Sequence, residues 1–65
     1  MTIISTGGPE RITVTPDADN LVCIAPENQE DDGSWSCSVA YSIPPAAARE
    51  LAAALIAAAE EVAGP

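Results

Sequence analysis

Carboxylates are the reactive groups this chain has in quantity. Ten Asp and Glu face only two cations, Arg11 and Arg49, with no lysine and no histidine, for a formal net charge of −8 on 65 residues. Asp17-Ala18-Asp19-Asn20 begins like a calcium-binding loop. That loop needs a glycine at its sixth position and a glutamate at its twelfth, where Val22 and Asn28 stand, so the segment reads as a solvated turn. Glu27, Glu30, Asp31 and Asp32 lie in ENQEDDGS, an acidic loop with a sharp turn near Asp32-Gly33; its carboxylates keep the turn in water and would hold a divalent cation only loosely. Paired carboxylates do acid–base work when a deep pocket raises the pKa of one of them, and a chain this short has little room for such a pocket. No histidine is present to shuttle protons near neutral pH, and no lysine to form a Schiff base. Gly7-Gly8 is a turn rather than a phosphate-binding loop. The expectation is a non-enzyme with no catalytic residue, cofactor or metal.

Two cysteines remain. Cys23 and Cys37 are fourteen apart, on segments expected to be neighbouring strands, and pairing of Ala25 with Trp35 would set the sulfurs opposite each other. A disulfide closing such a loop would contribute about 3 kcal/mol. Free buried thiols acting as small hydrophobes are the alternative, and a reducing compartment favours them. Two thiols without histidine fall short of a zinc ligand set.

The charge also sorts partners. Nucleic acid and anionic lipid are bound by clustered Lys or Arg, so neither is an expected ligand. An acidic surface suits a basic surface on another protein. No transmembrane span is expected, because Arg49, Glu50, Glu60 and Glu61 make the long C-terminal segment amphipathic. MTIISTGG lacks the basic start and apolar run of a signal peptide, which points to the cytoplasm.

The elements that must position these groups read as one domain, residues 1–65, with a sheet over 1–43 and a helix over 45–63. Thr2 to Thr6 is β-branched and forms a short strand before the Gly7-Gly8-Pro9 turn. Arg11 to Thr15 alternates, placing Ile12 and Val14 on one face and Arg11, Thr13 and Thr15 on the other. Leu21 to Ala25 is continuously apolar, so either face could be inward, and Pro26 is expected to end that strand or mark a bulge. Trp35, Cys37, Val39, Tyr41 and Ile43 alternate with Ser36, Ser38, Ala40 and Ser42, which predicts one strand with an apolar and a serine-rich face. On that stripe Tyr41 reads as core, and Trp35 as either core or an interface anchor.

PAAARELAAALIAAAEEVA, Pro45 to Ala63, carries the strongest helix formers between a proline suited to the first helical position and the stop Gly64-Pro65. Leu51, Leu55 and Val62 fall in one arc with Ala48, Ala52, Ala58 and Ala59, and this arc is the expected core face. Ala53 and Ala57 lie opposite. They allow a helix-to-helix homodimer, or they are simply good helix formers. Glu60 and Glu61 oppose the helix dipole and are either indifferent surface or part of an acidic contact. The expected fold is α+β: an antiparallel meander of three or four strands with the C-terminal helix packed on one face, ββββα.

The junction Ser42-Ile43-Pro44-Pro45, followed by Ala48-Arg49-Glu50-Leu51-Ala52 and Ala54-Leu55, resembles the small uncharacterised proteins of actinobacteria and of their phages, the mycobacteriophage type. The resemblance covers the last third of the chain. It implies a phage or actinobacterial origin and supplies no site residue. The function these readings favour is a non-catalytic acidic interaction module, a phage-encoded protein that self-associates and acts on a host protein in the host cytoplasm. Its candidate contact residues are Trp35, Ala53, Ala57, Glu60 and Glu61. The alternative is an acidic mimic of nucleic acid that inhibits a DNA- or RNA-binding protein, which would need its carboxylates on one contiguous face.

Overall fold

A computed structural model describes residues 1–64. Its centre is a long hairpin. Strand β2, Glu10–Asp17, pairs with strand β3, Leu21–Gln29, through eight consecutive residue pairs from Glu10 opposite Asn28 to Asp17 opposite Leu21. The turn between them is a short 3-10 segment, Ala18–Asn20. Asp17 Oδ1 accepts the Ala18 N–H at 2.8 Å, and Asp19 and Asn20 both take positive φ, a conformation their short polar side chains tolerate. Strand β1, Thr2–Ser5, lies antiparallel on the outer side of β2.

Two short strands occupy the other side of β3. Strand β4, Trp35–Ser36, pairs with Asn28 and Gln29, and strand β5, Tyr41–Ile43, pairs with Val22 to Ile24. They correspond to the single strand expected from Trp35 to Ile43, interrupted. Residues 37–40 cross the gap opposite residues 25–27, four against three. One extra residue reverses the faces beyond it. Trp35 therefore shares a face with Glu27 and Arg11, whereas Tyr41 and Ile43 share the opposite face with Ile24 and Val22. Pro26 does not end its strand: it pairs with Ile12, and β3 runs on to Gln29. It lies where the ladder to the last strands is interrupted, so its missing N–H removes no pairing on that side.

A 19-residue helix, α1, Pro45–Ala63, completes an α+β fold of antiparallel sheet and C-terminal helix. Pro45 occupies the first turn, and the Gly64 N–H donates to the Glu60 carbonyl at 2.9 Å. The position of the helix departs from expectation. Only Ala47 and Ala48 are half-buried, and no helical residue is buried. Exposure climbs along the leucine arc, from 40% at Leu51 to 60% at Leu55 and 89% at Val62, so the arc leans away from the sheet turn by turn. The physical cause is the connector. Pro44 alone separates Ile43 from the helix, with extended backbone at φ −68° and ψ 157°, and Pro45 is ring-locked behind it. One residue does not turn the chain back over the sheet.

The result is a plate of 39 × 37 × 17 Å in which no hydrophobic residue is buried among those described. Among the described residues Thr13 alone is buried, in the middle of β2 between Ile3 and Ala25, with its hydroxyl donating to the Ala25 carbonyl at 3.3 Å.

The β3–β4 turn closes through Gly33, whose N–H donates to the Glu30 carbonyl at 2.9 Å from a backbone at φ +88°. Any side chain is strained there. Gly33→Ala is expected to cost about 1 kcal/mol, which in a domain of this size lowers the melting temperature by roughly 4–8 °C, measured by circular dichroism.

Candidate interaction surfaces

Strand register divides the sheet into two chemically distinct faces. Ile4, Ile12, Val14, Val22, Ile24, Tyr41 and Ile43 lie on one of them, together with Pro16 and Pro26. Ile12, Val14, Val22, Ile24 and Ile43 are half-buried by neighbours within the sheet, and Ile4 and Tyr41 are exposed. At the foot of the helix this face runs into an open cleft of about 590 Å³ lined by Val14, Pro16, Val22 and Pro45 among others. The cleft's one carboxylate, Asp17, already accepts from Ala18 and, through Oδ2, from the Ser42 hydroxyl at 3.0 Å.

The opposite face is polar. Arg11, Thr13, Thr15, Asp17, Glu27, Gln29 and Ser42 share it with Ile3, Leu21, Cys23, Ala25 and Trp35. Arg11 organises one end. Its Nε donates to Glu27 Oε1 at 2.6 Å, and its guanidinium lies 4.1 Å from the centroid of the Trp35 ring. Both carboxylate and guanidinium are partly screened from water, where an ion pair and a cation–π contact each count for more than at an exposed site. Trp35 is half-buried rather than core. It stacks on a cation on the polar face, away from the Tyr41 stripe. The signal in the sequence was Arg11 itself, the lone cation of the sheet half, on the strand two removed from Trp35.

In the β3–β4 turn two carboxylates are engaged locally. Ser34 donates to Asp32 Oδ1 from both its hydroxyl, at 2.6 Å, and its backbone N–H, at 2.9 Å. Those two bonds hold the Asp32 carboxyl below its ordinary value. The Ser36 hydroxyl donates to Glu30. Glu60 and Glu61 sit on the last turns of α1, which joins the sheet at the Val22 end of β3, whereas the acidic turn caps the Gln29 end. Ala53 and Ala57 are exposed on the same helix, and so is the leucine arc.

The disulfide alternative does not form. Cys23 pairs with Ser42 rather than with a residue near Cys37, and both thiols are free. Gln29, not Ala25, opposes Trp35, and this shift carries Cys37 into the gap, where its thiol donates to the Val39 carbonyl at 3.0 Å. Among the described residues, no three His, Cys, Asp or Glu side chains stand together as a metal site, and no helix is long and apolar enough to cross a membrane.

The chain matches no family model, no characterised protein and no solved structure.

Two consequences are measurable. Arg11→Ala removes the ion pair and the ring contact together, and it is expected to cost about 1–2 kcal/mol and to shift Trp35 emission to longer wavelength. Asp32, with its folded pKa lowered, supports its turn above the ordinary carboxylate range and releases that support as pH falls through the lowered value. In a carboxyl NMR titration of Ser34→Ala, the Asp32 midpoint is expected to move up toward the ordinary value.

Proposed function

We propose that this chain is a non-catalytic protein-interaction module, phage-encoded and self-associating, that acts on a host protein in the host cytoplasm. One observation carries the reading: the folded chain leaves both an apolar sheet face and an apolar helix arc open to water. Contiguous open apolar surface on a small folded protein is the mark of a protein-binding site. The C-terminal strand–proline–helix pattern supports the phage origin. The acidic turn Glu30–Asp32, at the opposite end of β3 from the helix, is a surface suited to a basic patch on the host protein.

The nucleic-acid-mimic alternative draws less support from the placement of the carboxylates. Glu27 is neutralised by Arg11, Glu30 and Asp32 are held by serines, and Glu60 and Glu61 belong to a different element from the turn. A mimic needs free charges in a phosphate-like row.

Light scattering across micromolar concentrations tests the self-association. A mass above one chain is expected, and it should persist or rise with added salt, because salt screens the repulsion between copies that each carry −8. A strict monomer at every concentration and salt level overturns the reading.

A further inference from the structure

We propose that the second copy covers the first by exchange of helices: α1 of each chain lies on the apolar sheet face of its mate, formed by Ile4, Ile12, Val14, Val22, Ile24, Tyr41 and Ile43. The inference rests on the self-association proposed above and names the surfaces that carry it. Four observations converge on a second copy as the occupant.

The first is area. A folded monomer of this mass exposes about 3,900 Å², and this chain exposes 4923 Å². The excess, about 1,000 Å² per chain, is what one partner contributes to an interface of standard size. The radius of gyration agrees: 13.6 Å against about 11 Å for a compact domain of this length.

The second is complementarity. The chain carries both halves of a two-layer α/β core, an apolar sheet face and an amphipathic helix, and it leaves both open. The helix, 19 residues, is about 28 Å long, and the eight residues of β2 span about 26 Å. The rod fits the face along its length.

The third is the connector. Covering its own sheet would require the chain to reverse at Pro44, a single residue with a locked φ between Ile43 and Pro45. Covering a mate's sheet requires no reversal. Short stiff hinges favour exchange between copies over closure within one.

The fourth is charge. A chain with net charge −8 repels its own copy, so its carboxylates must be absent from any surface where two copies meet. On the apolar sheet face the register places only Glu10, at its rim, while Asp17 and Glu27 lie on the other face and Glu30 to Asp32 lie in the turn. The leucine arc likewise excludes Glu50, Glu60 and Glu61.

The test uses two variants of the full chain, Leu55→Glu on the helix and Tyr41→Glu on the sheet face. Both positions are more than half exposed in one chain, at 60% and 57%, so neither substitution removes packing within it. Under reciprocal exchange each variant alone has both contacts spoiled and scatters as a monomer. The equimolar mixture keeps one intact contact, the unaltered helix of the Tyr41→Glu chain on the unaltered sheet of the Leu55→Glu chain, and it recovers a mass of two chains. Relief of charge repulsion does not produce that rescue, since both variants carry the same added charge. In the unsubstituted protein, mixing isotope-labelled with unlabelled chains is expected to give intermolecular NOEs between the Leu51 and Leu55 methyls and those of Ile12, Val14 and Ile24.

A Tyr41→Glu chain that still dimerises, a mixture that stays monomeric, or intermolecular NOEs confined to helix against helix overturns the exchange and leaves self-association standing. An unsubstituted protein that is monomeric throughout overturns both.

Discussion

Pro44 is the constraint from which the rest of this architecture follows. A single residue with a fixed φ connects the last strand to the helix, and Pro45 continues the rigidity into the first turn. The helix must therefore leave the sheet along a direction set by Ile43. It touches the sheet at its foot, where Ala47 and Ala48 are half-buried, and then diverges. A connector of four or five residues would have let the same leucines settle on the same sheet. Hydrophobic stabilisation scales with area removed from water, so the shortness of one connection decides how much of it this chain can collect alone.

What a single chain does possess is a well-paired sheet. The eight-pair ladder between β2 and β3 satisfies the backbone, and its twofold side-chain alternation separates apolar from polar chemistry across the plate. Arg11 holds one end of the polar side, where it neutralises Glu27 and covers Trp35. At the other end Asp17 ties the β2–β3 turn to Ser42 on β5. These contacts anchor the outer strands to the central hairpin without an interior to pack against. The polar face carries the side-chain contacts that fix the sheet, and the apolar face is left without a covering layer.

Much of this was legible in the residues, and the misses are of register and of connection rather than of element type. The helix announces both ends, by Pro45 and by Gly64, and helix propensity is a local property. The alternation of Arg11 to Thr15 assigns the two faces of β2 correctly. The pattern from Trp35 to Ile43 is as regular, yet the chain spends one extra residue between 37 and 40, and nothing in the alternation records that slip. That slip puts Trp35 and Tyr41 on opposite faces, and Cys37 misses Cys23 for a second reason, a register in which Gln29 rather than Ala25 opposes Trp35. The leucine arc shows that α1 has a face to cover, but periodicity carries no information about what covers it. A connector's length, read as a geometric limit rather than as a gap between elements, was the available clue.

Strand β1 gives the sheet an open outer edge. Thr2, Ile3, Ile4 and Ser5 bring no proline, no lysine and no inward charge to it, so nothing local discourages another strand from adding there. Long-range repulsion among ten carboxylates has to serve instead. The same acidity that keeps the edge bare in dilute neutral solution is switched off by protonation. Once those carboxylates are protonated, the outer backbone groups of β1 are left with no charge to keep another strand from pairing with them.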